Sequence, residues 1–229
     1  MSELRVPSPE SRPRRIAVLA SGRGSNLQAL IDAISAGTLQ AELVGVFSDR
    51  ADAGALQRAR AAGIDHAALE PKAFASRSAF DAELFARIDA AGPDLIVCAG
   101  YMRLLDAGMV DARPGRMVNI HPSLLPAFKG LRTHRRALAA GGREHGASVH
   151  FVTADLDGGP VISQARVPVR DDDDEAALAA RVLAREHPLL LETVRWLVAG
   201  RIALHEHQVH LDGRALAAPL QLAANNRFA

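Results

Sequence analysis

Through the first 120 residues, five short apolar runs alternate with segments of helical periodicity, and few folds accommodate that rhythm. The runs cover residues 16–20, 43–47, 67–69, 95–99 and 117–120. A strand that is apolar on both sides needs cover on both faces, which crossover helices provide when strands run parallel. Between the runs, Leu27, Leu30, Ile31 and Ile34 recur at helical spacing. Residues 53–62 read as a helix ended by Gly63, and 76–91 as another stopped by Gly92-Pro93. After residue 120 the rhythm changes. Residues 147–152 and 161–169 read as strands joined by Asp155-Leu156-Asp157-Gly158-Gly159, too short for a crossover helix, so they pair antiparallel. A long helix follows from the acid run 171–175 to about residue 198, its acids complementing the helix dipole. Residues 205–211 alternate and predict a terminal hairpin closed by Asp212-Gly213, after which the last residues read as frayed.

The expected architecture is therefore α/β, a mostly parallel sheet with an antiparallel part towards the C-terminus. It comprises a proline-rich disordered leader over 1–13, one domain over 14–212 and a tail over 213–229. No internal repeat is visible. The formal net charge of +1 leaves no single-sign field directed at nucleic acid or an acidic membrane. No apolar h-region opens the chain, and no stretch approaches the roughly 20 apolar residues that span a bilayer. One cysteine, Cys98, sits in an apolar run and reads as a small buried hydrophobe in a reducing compartment. A cytoplasmic protein is expected.

Three segments can carry chemistry. Ser21-Gly22-Arg23-Gly24-Ser25-Asn26 joins the first strand to the first helix, where an open α/β sheet binds ligands. Its glycines permit close approach of a phosphate to backbone N–H groups at a helix N-terminus, and Ser25 and Asn26 suit the N-cap. The pattern is neither a dinucleotide fingerprint nor a Walker A loop, so a plain glycine turn remains an alternative. Asn119-Ile120-His121-Pro122 ends a strand, with Asn119 and His121 projecting to one side. Acyl transfer to an amine needs an oxyanion donor and a proton route, roles that an amide N–H and an imidazole can fill. A structural histidine is the competing reading. Asp157 could charge His121 by accepting its hydrogen bond, or could simply bond its own turn. Nothing in the sequence places the two together. His205-Glu206-His207 is a conceivable metal pair but reads better as polar side chains facing solvent, and no metal site is expected.

Taken in order, five segments resemble the folate-dependent phosphoribosylglycinamide formyltransferase family. They are residues 18–28 (Val-Leu-Ala-Ser-Gly-Arg-Gly-Ser-Asn-Leu-Gln), 99–103 (Ala-Gly-Tyr-Met-Arg), 119–126 (Asn-Ile-His-Pro-Ser-Leu-Leu-Pro), 146–150 (Gly-Ala-Ser-Val-His) and 157–160 (Asp-Gly-Gly-Pro). The resemblance runs from about Arg15 to Leu211. It implies a Rossmann-like three-layer fold, with 10-formyltetrahydrofolate as co-substrate beside a glycinamide ribonucleotide, and a monomer or homodimer with neither nucleic acid nor membrane as partner. By the same resemblance Gly24, Ser25 and Asn26 hold the nucleotide phosphate and Glu186 the glycinamide. Arg77, Met102, Arg103, Leu104, Leu105 and Thr153 line the folate pocket. Asn119 and protonated His121 are catalytic and stabilise the oxyanion, with Asp157 raising the His121 pKa and so keeping the ring protonated and oriented. Phe128-Lys129-Gly130 departs from the aromatic-Pro-Gly run common in the family and predicts a looser loop behind His121.

Two related enzymes fit less well. Methionyl-tRNA formyltransferase carries a further basic domain, and formyltetrahydrofolate deformylase an N-terminal regulatory domain. Neither extension is expected in this chain. A non-catalytic phosphate-ligand sensor would have no need of Asn119, His121 and Asp157.

Overall fold

The computed structural model describes residues 12–228. The first five strands are β1 (Arg14–Leu19), β2 (Ala41–Ser48), β3 (His66–Ala68), β4 (Leu95–Cys98) and β5 (Met117–His121). They lie parallel in the order β3-β2-β1-β4-β5. Helices α1 (Ser25–Ser35), α2 (Gly54–Ala61), α3 (Arg77–Ala90) and the short α4 (Ala107–Asp111) connect them. The alternation of strand side chains sends Ile16, Val18 and Val97 to a core under α1 and α2. Ala17, Leu19, Ile96 and Cys98 face the other way, against Phe80, Leu84 and Phe85 of α3. Cys98 is buried, and burial alone pushes its thiol up to about 12.

The change of rhythm after residue 120 is where the sheet changes direction. Short α5 (Thr133–Ala139) leads to β6 (Glu144–Phe151), which runs antiparallel to β5 and places His150 opposite Asn119. β7 (Val161–Pro168) returns antiparallel to β6. α6 (Glu175–Val198) then covers β6 and β7 and meets α1. No described helix is long and apolar enough to cross a membrane.

The local expectations are met in part. The long helix begins at the end of the acid run, with Glu175 in its first turn. Asp174 caps α6 by accepting from Ala177 N–H at 2.7 Å, while Asp173 turns back to Arg181, whose guanidinium holds its carboxyl down at about 2. Asp212-Gly213, both with positive φ, closes the expected hairpin between β9 (Gln208–Leu211) and residues 214–215. A second turn at Glu206-His207, also with positive φ, pairs β8 (Ile202–His205) with β9, which the sequence pattern did not separate from one strand. The C-terminal residues are folded. β10 (Arg214–Ala215) extends the hairpin, β11 (Leu220–Gln221) adds to β7, and Phe228 packs edge-on to Trp196 at 5.1 Å. Two-residue strands carry too little pattern to be read in advance. Residues 1–11 of the expected leader lie outside the described residues, while Arg12 makes a two-pronged bond to Asp94 at 2.7 and 2.8 Å.

Candidate active site

The loops after β1, β4 and β5 emerge at the carboxyl end of the parallel half, and the β6–β7 loop, which leaves β6 beside Met117 at the other end of β5, folds back to meet them. Ser21 Oγ accepts from Met102 N–H at 2.9 Å and Ser21 N–H donates to the Gly100 carbonyl at 3.0 Å, lacing the β1 loop to the β4 loop. Gly24, not Ser25 or Asn26, is the N-cap of α1. It adopts a left-handed conformation (φ 75°), and a Cβ there would stand 2.7 Å from Ala55 Cα. Only glycine fits that approach of α2. No side chain caps α1, so its first N–H groups point outward for a ligand. Asn26 instead turns inward and donates to Glu186 of α6 at 3.1 Å. Glu186 is buried, and that burial pushes its carboxyl up against the single opposing bond from Asn26.

Two cavities open beside this lacing. The larger, about 550 Å³, reaches from Asn26 and Glu186 across His121 to Leu131 and His134. The smaller, about 90 Å³, runs behind it between Leu105, Val152 and Thr153. Tyr101, Arg103, Leu104, Asn119, Leu156 and Asp157 line both, so Asn119 and Asp157 stand in the shared wall. Met102, 65% exposed, lies on the rim of the larger cavity. Arg77 lines neither. It sits behind the 101–105 loop and donates to the Leu105 carbonyl at 2.8 Å.

The structure brings Asn119, His121 and Asp157 together, although Asp157 comes from the β6–β7 turn. Gly159 explains how that turn enters: a Cβ there would lie 1.9 Å from the Phe151 carbonyl oxygen. Asp157 Oδ2 stands 3.4 Å from His121 Nδ1 and accepts from Gly130 N–H at 2.8 Å. His121 Nε2 faces the Phe128 carbonyl at 3.1 Å. The backbone on both sides of Lys129 is thereby tied to the pair, and the loop is held more firmly than its missing proline predicts.

Both His121 nitrogens face acceptors, an arrangement that a doubly protonated ring satisfies fully and a neutral one does not. Burial opposes the charge and outweighs both Asp157 and the Phe128 carbonyl, so the His121 pKa lies below its ordinary value. Asp157 does raise it, as expected, but the net shift is downward, because a ring only 7% exposed loses more hydration than one carboxylate restores. Asp157 is itself driven down. Burial alone would raise it, but bonds from His150 and Gly130 N–H and the proximity of His121 together prevail. Both groups are thus shifted downward, Asp157 towards its anion and His121 towards its neutral form.

His150 is the residue that sequence reasoning left without a role. Its Nδ1 donates to the Phe151 carbonyl at 2.9 Å, and Nε2 faces Asn119 Nδ2 at 3.0 Å and Asp157 Oδ1 at 3.6 Å. A neutral ring accepts from Asn119, and a charged one donates to Asp157. The signal that could have found it is its antiparallel register opposite Asn119, which the sequence does not specify.

A parallel sheet with such an acyl-transfer site at its direction switch is the architecture of the formyl transferases, and residues 14–194 match the family model described as formyl transferase. The chain is 51% identical over 201 residues to phosphoribosylglycinamide formyltransferase of Escherichia coli K12, covering 88% of this chain and 95% of the relative. The corresponding enzyme of Haemophilus influenzae is 40% identical over 203 residues, covering 89% and 96%. The solved phosphoribosylglycinamide formyltransferase of Coxiella burnetii superposes with a TM-score of 0.87 at 50% identity, covering 90% and 97%. The chain belongs to the formyl transferase family, in its phosphoribosylglycinamide formyltransferase branch.

Proposed function

We propose that the protein transfers the formyl group of 10-formyltetrahydrofolate to the amine of N1-(5-phospho-D-ribosyl)glycinamide, in the cytoplasm, as a step of de novo purine (IMP) synthesis. The observation that carries this reading is the position of Asn119 and Asp157 in a wall common to two cavities, with His121 at its edge. A donor and an acceptor can approach one reacting carbon from opposite sides of such a wall. The folate head is assigned to the smaller cavity, beside Arg103, Leu104, Leu105 and Thr153, with Arg77 behind. The nucleotide occupies the larger one, its phosphate on the N–H groups following Gly24 and its glycinamide near Glu186. The catalytic unit is taken as residues 14–212 together with the C-terminal residues that add β11 and Phe228 to it, active as a monomer or homodimer.

The amine nitrogen attacks the formyl carbon, and the carbonyl oxygen becomes an oxyanion. Asn119 Nδ2 carries two hydrogens, one for His150 and one for that oxygen. The proton released by the attacking nitrogen is relayed through His121 or water, and Asp157 balances the imidazolium when His121 carries it. The C–N10 bond then breaks and the relayed proton reaches N10, leaving tetrahydrofolate and the formylated amide. Folate absorbance followed with and without the nucleotide tests this reading. Turnover that requires the nucleotide is expected. Turnover without it would make the protein a deformylase, and none at all a sensor.

A further inference from the structure

Unpartnered buried polar atoms gather around the 101–105 loop and the face of α3 behind it. Among the described residues, five of eight such atoms belong to one group: both carboxyl oxygens of Asp81, Asp49 Oδ1, Tyr101 Oη and Arg103 Nε. Asp81 is fully buried on α3, outside both cavities. Arg77, one turn earlier, places Nε 3.6 Å from Asp81 Oδ2 and reaches on to the Leu105 carbonyl at 2.8 Å. Arg103 lies 5.0 Å over the ring of Phe80, the neighbour of Asp81. Arg77 therefore links this buried carboxylate to the Leu105 end of the 101–105 loop, and the charges of Arg77 and Arg103 both oppose the rise that burial imposes on the Asp81 carboxyl. Such a group costs stability unless paired, so a neutral residue would suit the core better.

We propose that Asp81 is a positioning residue for the formyl donor: its buried carboxylate, through Arg77 and the Arg103 side chain, fixes the 101–105 loop that walls both cavities. The inference rests on the folate reading of the smaller cavity. A loop held this way in the free protein does not have to be ordered when the donor binds, which is a gain in affinity rather than in chemistry. Asp81 touches no reacting atom, so its effect belongs in the donor KM.

Kinetics with both substrates test this. Asp81→Asn is expected to raise the donor KM about tenfold, while kcat and the acceptor KM stay within about twofold. Leu84→Val, a fully buried change on the same helix, provides the control for ordinary loss of packing. It is expected to lower Tm without moving the donor KM. Arg77→Gln, at a half-exposed side chain, cuts the same link from its outer end without risk to the core. It is expected to raise the donor KM likewise, and less than additively with Asp81→Asn. An unchanged or lowered donor KM in both Asp81→Asn and Arg77→Gln would overturn the proposal, as would an equal rise in Leu84→Val or full additivity in the double variant. If the wild-type protein showed no nucleotide-dependent turnover, the functional reading would fall and this inference with it. Wild-type turnover with unmoved variants sinks the inference alone.

Discussion

Asp157 and Glu186 are both buried carboxylates on the wall of the larger cavity, and their surroundings drive them in opposite directions. Burial pushes each one up. Asp157 is nevertheless held down, because Gly130 N–H, His150 and His121 all stabilise its charge. Glu186 has one neutral donor, Asn26, and stays raised. The number and charge of the donors, together with the shallower burial of Asp157, favour the anion at Asp157 and disfavour it at Glu186. Two acids whose environments separate them in this way suit different tasks: a permanent counter-charge for His121, and a group whose charge responds to what binds beside it.

The comparison breaks most visibly if His121 is dispensable, since Asp157 then has nothing to balance. His121→Ala is expected to lower kcat by about 10²–10⁴-fold, the range typical of a lost general acid–base group. Near-normal turnover in the folate absorbance assay would end the mechanism described above.

Asp157→Asn tests the anion directly. It keeps the shape and the Gly130 contact but leaves burial of His121 unopposed by a charge, so the His121 pKa falls further. The expected result is a loss in kcat of about 10–100-fold, with the pH–rate midpoint assigned to His121 moving to lower pH. An unmoved midpoint would remove Asp157 from the reaction. The stability sign is equally definite. A carboxyl depressed in the folded state stabilises above its unfolded pKa, and that contribution is lost as pH falls through the folded value. Wild type should therefore lose Tm on acidification below the ordinary aspartate value more steeply than the variant does.

What could be read beforehand divides along the same seam. The parallel half was legible because each buried strand is a continuous apolar run and each crossover helix repeats Leu or Ile at helical spacing, as Leu27, Leu30 and Ile31 do. Asn119 and His121 were legible as candidates for a local reason, since alternation alone sets them on one side of β5. The contact between Asp157 and His121 was not. It depends on how the β6–β7 turn folds back over β5, and Asp157 itself adopts a positive φ there. The contact of Asn26 with Glu186 joins α1 to α6 across 160 residues, and no local pattern encodes it. The net fall in the His121 pKa was out of reach for the same reason, because burial is a property of the assembled fold.

Glu186→Gln gives the smallest effect and the sharpest contrast. A carboxyl raised in the folded state favours folding only while protonated. Stability is then greatest below the ordinary glutamate value and declines as pH rises from there through the folded pKa. A glutamine can keep the Asn26 bond with its amide oxygen and carries no charge to bury. Removing a poorly satisfied buried charge is worth about 1 kcal/mol or somewhat more, or roughly 2–4 °C in Tm for a chain of this size. Near neutral pH Glu186→Gln should therefore melt higher than wild type while Asp157→Asn melts lower, and the Glu186→Gln gain should shrink on acidification. The acceptor KM should rise about three- to tenfold, the cost of losing a charge-assisted bond to the glycinamide. If both variants shift Tm in the same direction, the two carboxylates are not perturbed in opposite directions, and the division of labour between them fails.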